Sequence, residues 1–272
     1  MKYLVLITLL LLLALNAFSQ RTTPGSEAEL AAITERGRSL YAYDEAAWHS
    51  TDAVLAMKPP NGSFESYVGQ KNGDKWTVVY GKLNAAHDRY LVVYEAKQAG
   101  SPSEFAVQKY DQPKEDKGFY LSAALAVELI KADFGKANRQ YNVAVLPTTG
   151  DKFYVYIVPA QTVSDVFPLG GDVRYLVSSD GKKILEKRQL HKSIIEFKVP
   201  SDVIPESGFH TAILDDIPED TDVFHVLTRG GKIPELIVTE KYVYQVKPDG
   251  LIIYVMTREA FLKIGKPQTN LL

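Results

Sequence analysis

Gly73-Asp74-Lys75-Trp76-Thr77-Val78-Val79-Tyr80 is the stretch whose reading decides the fold class. The Asn72-Gly73 turn dipeptide leads into a run of β-branched and aromatic residues, Trp76 to Tyr80, with Arg89 to Ala96 placed to pair with it as a hairpin. The same grammar recurs at Tyr141 to Leu146, Phe153 to Val158, Val173 to Val177, Lys183 to Leu190 and Ser193 to Val199. It continues at Asp222 to Thr228, Glu235 to Thr239, Tyr242 to Val246 and Leu251 to Met256. Asp180-Gly181, Gly230-Gly231 and Pro248-Asp249-Gly250 supply turns of hairpin length, which force antiparallel pairing. Gly150-Asp151-Lys152-Phe153-Tyr154-Val155-Tyr156-Ile157 echoes the opening stretch. A turn followed by an aromatic strand recurs in any β-rich protein, so independent origin is the preferred reading over duplication. Gly100 to Asp116, polar and with two prolines, reads mainly as a loop.

Two segments follow helical spacing instead. Ser26-Glu27-Ala28-Glu29 fits a capping box, and Leu30, Ile33, Leu40, Tyr41, Ala47, Trp48, Val54 and Leu55 recur on one face. Gly37 is a candidate break, and Lys58-Pro59-Pro60 ends the helix. Gly118 to Phe134 places Leu121, Leu125, Leu129 and Ile130 together, with Gly135 as the stop. The expected fold is α+β: a helical N-terminal segment near 26 to 57, a second long helix near 118 to 134, and mostly antiparallel sheet. Residues 20–272 read as a single domain with a possible subdivision near 135–140.

Residues 1–19 read as a signal peptide: Lys2, an apolar run from Leu4 to Leu15, then Ala17-Phe18-Ser19 ahead of Gln20. The run is too short to span a bilayer, which needs about twenty apolar residues. The expected product is an exported soluble chain, periplasmic or extracellular, cleaved after Ser19, with no transmembrane segment in its mature part. The formal net charge of −2 gives no general attraction to nucleic acid, and the absence of cysteine removes disulfides, thiol nucleophiles and thiolate metal ligands.

Arg36-Gly37-Arg38-Ser39-Leu40-Tyr41, Ala46-Ala47-Trp48-His49, Tyr141 to Pro147, Gly170-Gly171-Asp172-Val173-Arg174-Tyr175 and Thr221-Asp222-Val223-Phe224 resemble segments of an uncharacterised family of exported bacterial proteins. The resemblance implies location and single-family identity over nearly the whole mature chain. It brings no catalytic residues, cofactor or partner.

The sequence has no G-x-S-x-G elbow, H-E-x-x-H pair, phosphate-binding glycine loop or dinucleotide fingerprint. The densest candidate is His210, Asp215, Asp216, Glu219, Asp220, Asp222, His225 and Arg229. A metal would take His210 and His225 with Asp215, Asp216 or Asp222, provided the imidazole nitrogens and a carboxylate come within about 5 Å of one another. The preferred reading is a solvated acidic turn before a strand. That strand puts His225 on a face with Val223 and Leu227, partly buried and too far from His210 to share an ion.

Trp48, His49 and Asp52 are a candidate ligand groove, against the plainer reading that Trp48 anchors the helix to the sheet. Asp172 and Arg174 after Gly170-Gly171 are a candidate anion site, against an exposed pair on a polar strand face. His191 and His87-Asp88-Arg89 read as exposed turn residues. The sixteen tyrosines suit either a flat glycan- or peptide-binding face or a half-buried sheet. Two functions are expected from this: a non-catalytic binding or assembly component engaging an envelope protein or glycan, or an envelope hydrolase, possibly metal-assisted, around His210 and His225.

Overall fold

A computed structural model describes residues 22–198 and 205–264, so the signal-peptide reading of residues 1–19 lies outside the described residues. The chain is α+β. Helix α1 (Glu27–Ala56) precedes the antiparallel meander β1 (Ser66–Asn72), β2 (Lys75–Leu83), β3 (Tyr90–Gln98) and β4 (Phe105–Asp116). Helix α2 (Phe119–Phe134) precedes a second antiparallel sheet of β5 (Tyr141–Pro147), β6 (Phe153–Pro159), β8 (Val173–Val177) and β9 (Ile184–Gln189). Between β6 and β8 the chain detours through β7 (Val166–Leu169), which pairs with β10 (Ile195–Lys198) in a two-stranded ribbon. The last sheet holds β11 (Gly208–Thr211), β12 (Glu235–Val238), β13 (Tyr242–Val246) and β14 (Ile252–Thr257), with α3 (Asp220–Thr228) inserted after β11 and α4 (Arg258–Ile264) at its end. The echoed stretches become β2 and β6, each the second strand of a sheet led by a helix.

Helix α1 starts where the capping box puts it: the Ser26 amide donates to the Glu29 carboxylate at 2.9 Å and the Glu29 amide to Ser26 Oγ at 3.3 Å. Gly37 does not break it. A Cβ there would lie 2.5 Å from both the Asp220 carbonyl and Val223 Cβ, so the glycine is the notch in which α3 crosses α1.

The first two sheets are covered on both faces. Val79 in β2 with Val155 and Ile157 in β6 face α2, whereas Val78, Tyr80, Tyr156 and Val158 face α1. The strand period of two delivers this alternation. A bulge between Val92 and Tyr94 flips β3, so Tyr90 and Val92 join the α2 side and Tyr94 and Ala96 the α1 side. At the seam between β1 and β5, the Tyr43 hydroxyl of α1 accepts the Gly69 amide at 3.2 Å and also the Val145 amide. A third apolar cluster joins Leu30 and Ile33 of α1, Val223 and Val226 of α3, and Ile237, Tyr244 and Val246 of the last sheet.

Two sequence expectations are corrected, and two further features go beyond them. Residues 105–116 form strand β4 rather than a loop; it is an edge strand with mostly exposed side chains, and Pro113 falls inside the β3–β4 register shift, where no ladder bond is needed. Residues 220–228 form a helix, not a strand: the Glu219 amide donates to Asp222 Oδ2 at 2.7 Å, and the acidic first turn suits the helix dipole. The β-branched Thr221, Val223 and Val226 conceal that start. One pair, β11 with β12, is parallel because α3 connects the two strands. The ribbon strand β7 was not expected, since Pro168 sits in its middle. Among the described residues, no helix is long and apolar enough to cross a membrane.

Candidate metal centre

The interior between the second sheet and the last is charged. Asp172 precedes β8, His191 follows β9, Asp222 sits in the first turn of α3, His210 lies on β11, Glu235 opens β12, and Arg229 ends α3. These six residues form one buried chain of contacts.

His191 Nδ1 lies 3.0 Å from Asp172 Oδ1 and its Nε2 lies 3.0 Å from Asp222 Oδ1. His210 is arranged in the same way from the other side: Nδ1 is 2.9 Å from Glu235 Oε1, and Nε2 is 3.1 Å from that same Asp222 Oδ1. The second Glu235 oxygen accepts from Arg229 Nη2 at 2.7 Å. His210 Nε2 stands at ion-pair distance but off the hydrogen-bond direction, so this fully buried nitrogen has no hydrogen-bond partner.

Backbone geometry makes room for this. Gly208 admits the Glu235 carboxylate beneath β11, since a Cβ would come 1.9 Å from Glu235 Oε2. Gly170, at φ +92°, lets the Ser193 carbonyl approach to 2.1 Å of where its Cβ would stand and leaves His191 its place. Turn geometry and close packing account for the paired glycines.

A carboxylate on Nδ1 fixes a neutral ring as the Nδ1–H tautomer and turns its Nε2 lone pair outward, the arrangement that outer-sphere carboxylates impose on metal-bound histidines. Here both rings turn Nε2 toward one carboxylate. One donor atom from each of His191, His210 and Asp222 falls within 4.8 Å of the other two. Ligand atoms at the bond lengths of a tetrahedral zinc ion stand about 3.3 Å apart, close to the two nitrogen–oxygen distances here.

Charge balance agrees. Asp172, Asp222 and Glu235 face one permanent cation, Arg229, leaving an excess of two negative charges. Two ring protons cancel it, and so does one dication with neutral rings. With no ion bound, burial opposes charging His191, yet Asp172 and Asp222 hold its pKa well above the usual imidazole value. Burial likewise opposes charging His210, and Asp222 with Glu235 pushes its pKa up to about 9. Burial alone would raise the Asp222 pKa; the two rings hold it far below the carboxylate range.

A second buried network lies alongside. Asp220 binds Arg36 Nε at 2.8 Å, the Tyr156 hydroxyl at 2.8 Å, and Arg174. Arg188 reaches Asp215 at 3.0 Å and Glu219 at 2.5 Å, and burial pushes the Glu219 carboxyl up to about 8 against the pull of Arg188. A cleft of about 130 Å³ opens beside the centre, with His191 and His210 in its lining together with Leu169, Leu190, Ile195 and Ile213.

The residues singled out in the sequence are thus redistributed. His210 and Asp222 meet, but their partner is His191, not His225. Burial holds His225 well below the usual imidazole pKa; it donates to the Pro168 carbonyl and packs on Phe197 at 4.8 Å. Being on a helix, it does not share a strand face with Val223 and Leu227. Asp215 pairs with Arg188, and Asp216 accepts the Lys241 amide at 3.0 Å. Asp172 and Arg174 are no exposed pair: Asp172 is 1% exposed against His191, and Arg174 turns to Asp220. His191 is no exposed turn residue. Trp48 does not anchor α1; it is 58% exposed and stacks on His49 at 4.7 Å, with Asp52 exposed nearby, while Tyr43, Ala47 and Val54 do the anchoring.

The register of the β8–β9 hairpin carried the signal for His191. Val173 pairs with Gln189, and the Leu190 amide donates to the Asp172 carbonyl at 3.1 Å, which brings residues 172 and 191 together once the Asp180-Gly181 turn is placed. No family model, curated protein or solved structure matches the chain.

Proposed function

We propose that this is a metal-binding protein whose centre takes a divalent transition metal, zinc first, on His191 Nε2, His210 Nε2 and the Asp222 carboxylate. The observation that carries this reading is the buried Nε2 of His210, which makes no hydrogen bond yet is held by Glu235 at 3.1 Å from the Asp222 oxygen that His191 also faces. Imidazole with carboxylate and no thiolate suits zinc and its neighbours rather than calcium or magnesium. Three protein donors leave the fourth position of a tetrahedral ion for water or a ligand, the composition of hydrolytic zinc sites, and the adjoining cleft supports access for a small molecule. A metal-assisted hydrolase of the bacterial envelope is therefore preferred over a non-catalytic assembly component. The leader pattern of residues 1–19 supports export.

The same charge balance favours a second reading, in which two imidazolium rings and Asp222 form a metal-free ion cluster that ties α3 to the sheets. Metal analysis of untagged protein separates the two. The proposal expects about one equivalent of zinc per chain and a melting temperature that falls on chelation and returns with zinc. Protein without stoichiometric metal that is also unmoved by added zinc would overturn it in favour of the ion cluster.

A further inference from the structure

An open surface pocket of about 310 Å³, lined by none of the metal-centre residues, lies where α2 ends against β5 and β6. Phe134, Tyr141, Val143 and Ile157 give it an apolar floor, and the rings of Phe134 and Tyr141 meet edge-on at 4.9 Å. Its charged lining groups are cations, Lys131 from the last turn of α2 and Arg139 from the link into β5, and no carboxylate belongs to the lining. Arg139 is only loosely held: Nη1 lies 3.3 Å from exposed Glu196, Nη2 lies 3.3 Å from the Ala160 carbonyl, and Nε is buried with no hydrogen-bond partner. Among the described residues, no carboxylate pairs with Lys131.

We infer that this pocket binds a small amphipathic anion, an aryl- or alkyl-carboxylate. The apolar body lies on Phe134, Val143 and Ile157, and the carboxylate takes Arg139 and Lys131. The volume falls at the lower end of small-molecule sites, which combine an apolar wall with a few placed polar groups. A guanidinium with spare donors matches a carboxylate's two oxygens, which a neutral polar ligand does not. The C-terminal dipole of α2 opposes an anion, but the full charge of Lys131 exceeds its half charge even with Arg139 paired to Glu196. The inference stands apart from the metal reading and survives its failure.

Calorimetric titration of the full chain with hydrocinnamate, and with hydrocinnamyl alcohol as its uncharged counterpart, tests it. The expected result is saturable binding of the carboxylate, with the alcohol weaker by about tenfold or more. Lys131→Gln, at an exposed position, should weaken the carboxylate and leave the alcohol unchanged; Val143→Trp, which fills the floor, should abolish both. Absence of saturable hydrocinnamate binding by about 10 mM, equal affinity for the alcohol, or Lys131→Gln binding like wild type would each overturn the inference. The Lys131→Gln comparison decides even if Val143→Trp fails to fold.

Discussion

The two sheets around α2 and the interior beside α3 are equally buried and built on opposite principles. Around α2, valines, isoleucines and tyrosines alternate between two apolar cores, and each side chain contributes on its own account. Beside α3, Asp172, His191, Asp222, His210, Glu235 and Arg229 are as deeply buried, but each is tolerable only because the next is present. An apolar core degrades by increments as it loses methylenes, whereas a buried ion network fails when one member is withdrawn and strands the charge of its partners.

The sharpest break of that comparison is Asp222→Ala, which leaves two imidazoles facing each other without their shared carboxylate. A loss of about 3–5 kcal/mol is expected in urea unfolding, together with loss of the bound metal. In the apolar half, Ile130→Ala on α2, fully buried against the first two sheets, should cost about 2–5 kcal/mol while the metal content stays at the wild-type level. Loss of metal from both variants would mean that the two interiors are not separable in this way.

Gly37→Ala probes the joint between the regions. The added Cβ would stand 2.5 Å from the Asp220 carbonyl, so α3 must shift from α1. A destabilisation of about 1–3 kcal/mol is expected, with weakened zinc affinity because Asp222 rides on the displaced turn. Wild-type affinity in a destabilised Gly37→Ala protein would show that the centre does not depend on the α1–α3 crossing.

The smallest effect belongs to Asp44 on α1, whose carboxyl is pushed up to about 6 by burial and by Glu45, with Asn142 pulling the other way. A carboxyl with a raised folded pKa binds more protons folded than unfolded, so stability falls as pH rises from its ordinary value of 3.8 through about 6. Asp44→Asn should therefore gain on the order of 1 kcal/mol at pH above 7 and little at pH 4, read from paired thermal melts. A gain of the same size at both pH values would remove titration as its cause.

Much of this molecule was written locally. The Ser26 capping box, the proline stop after Lys58, the alternating runs that became β2, β6 and β13, and the turns at Asn72-Gly73 and Asp180-Gly181 are all contacts between near neighbours, which a window of residues contains. Where a segment's state depends on what packs against it, the reading went astray. The edge strand β4 has little buried face to pattern its sequence, and α3 carries β-branched residues that its apolar contacts with α1 and the last sheet hold in a helix.

The centre divides along the same line. The sequence by itself determined which groups were available for it: no thiol, five histidines, and an acidic run around His210 and Asp222. It also determined the β8–β9 turn that sets Asp172 beside His191. Only the tertiary structure decided that His191 rather than His225 completes the set, because that choice depends on α3 crossing α1 at Gly37 and turning Asp222 into the space between two sheets. Local propensity acts over a few residues, whereas the direction in which a side chain meets a distant partner is fixed by the packing of whole elements.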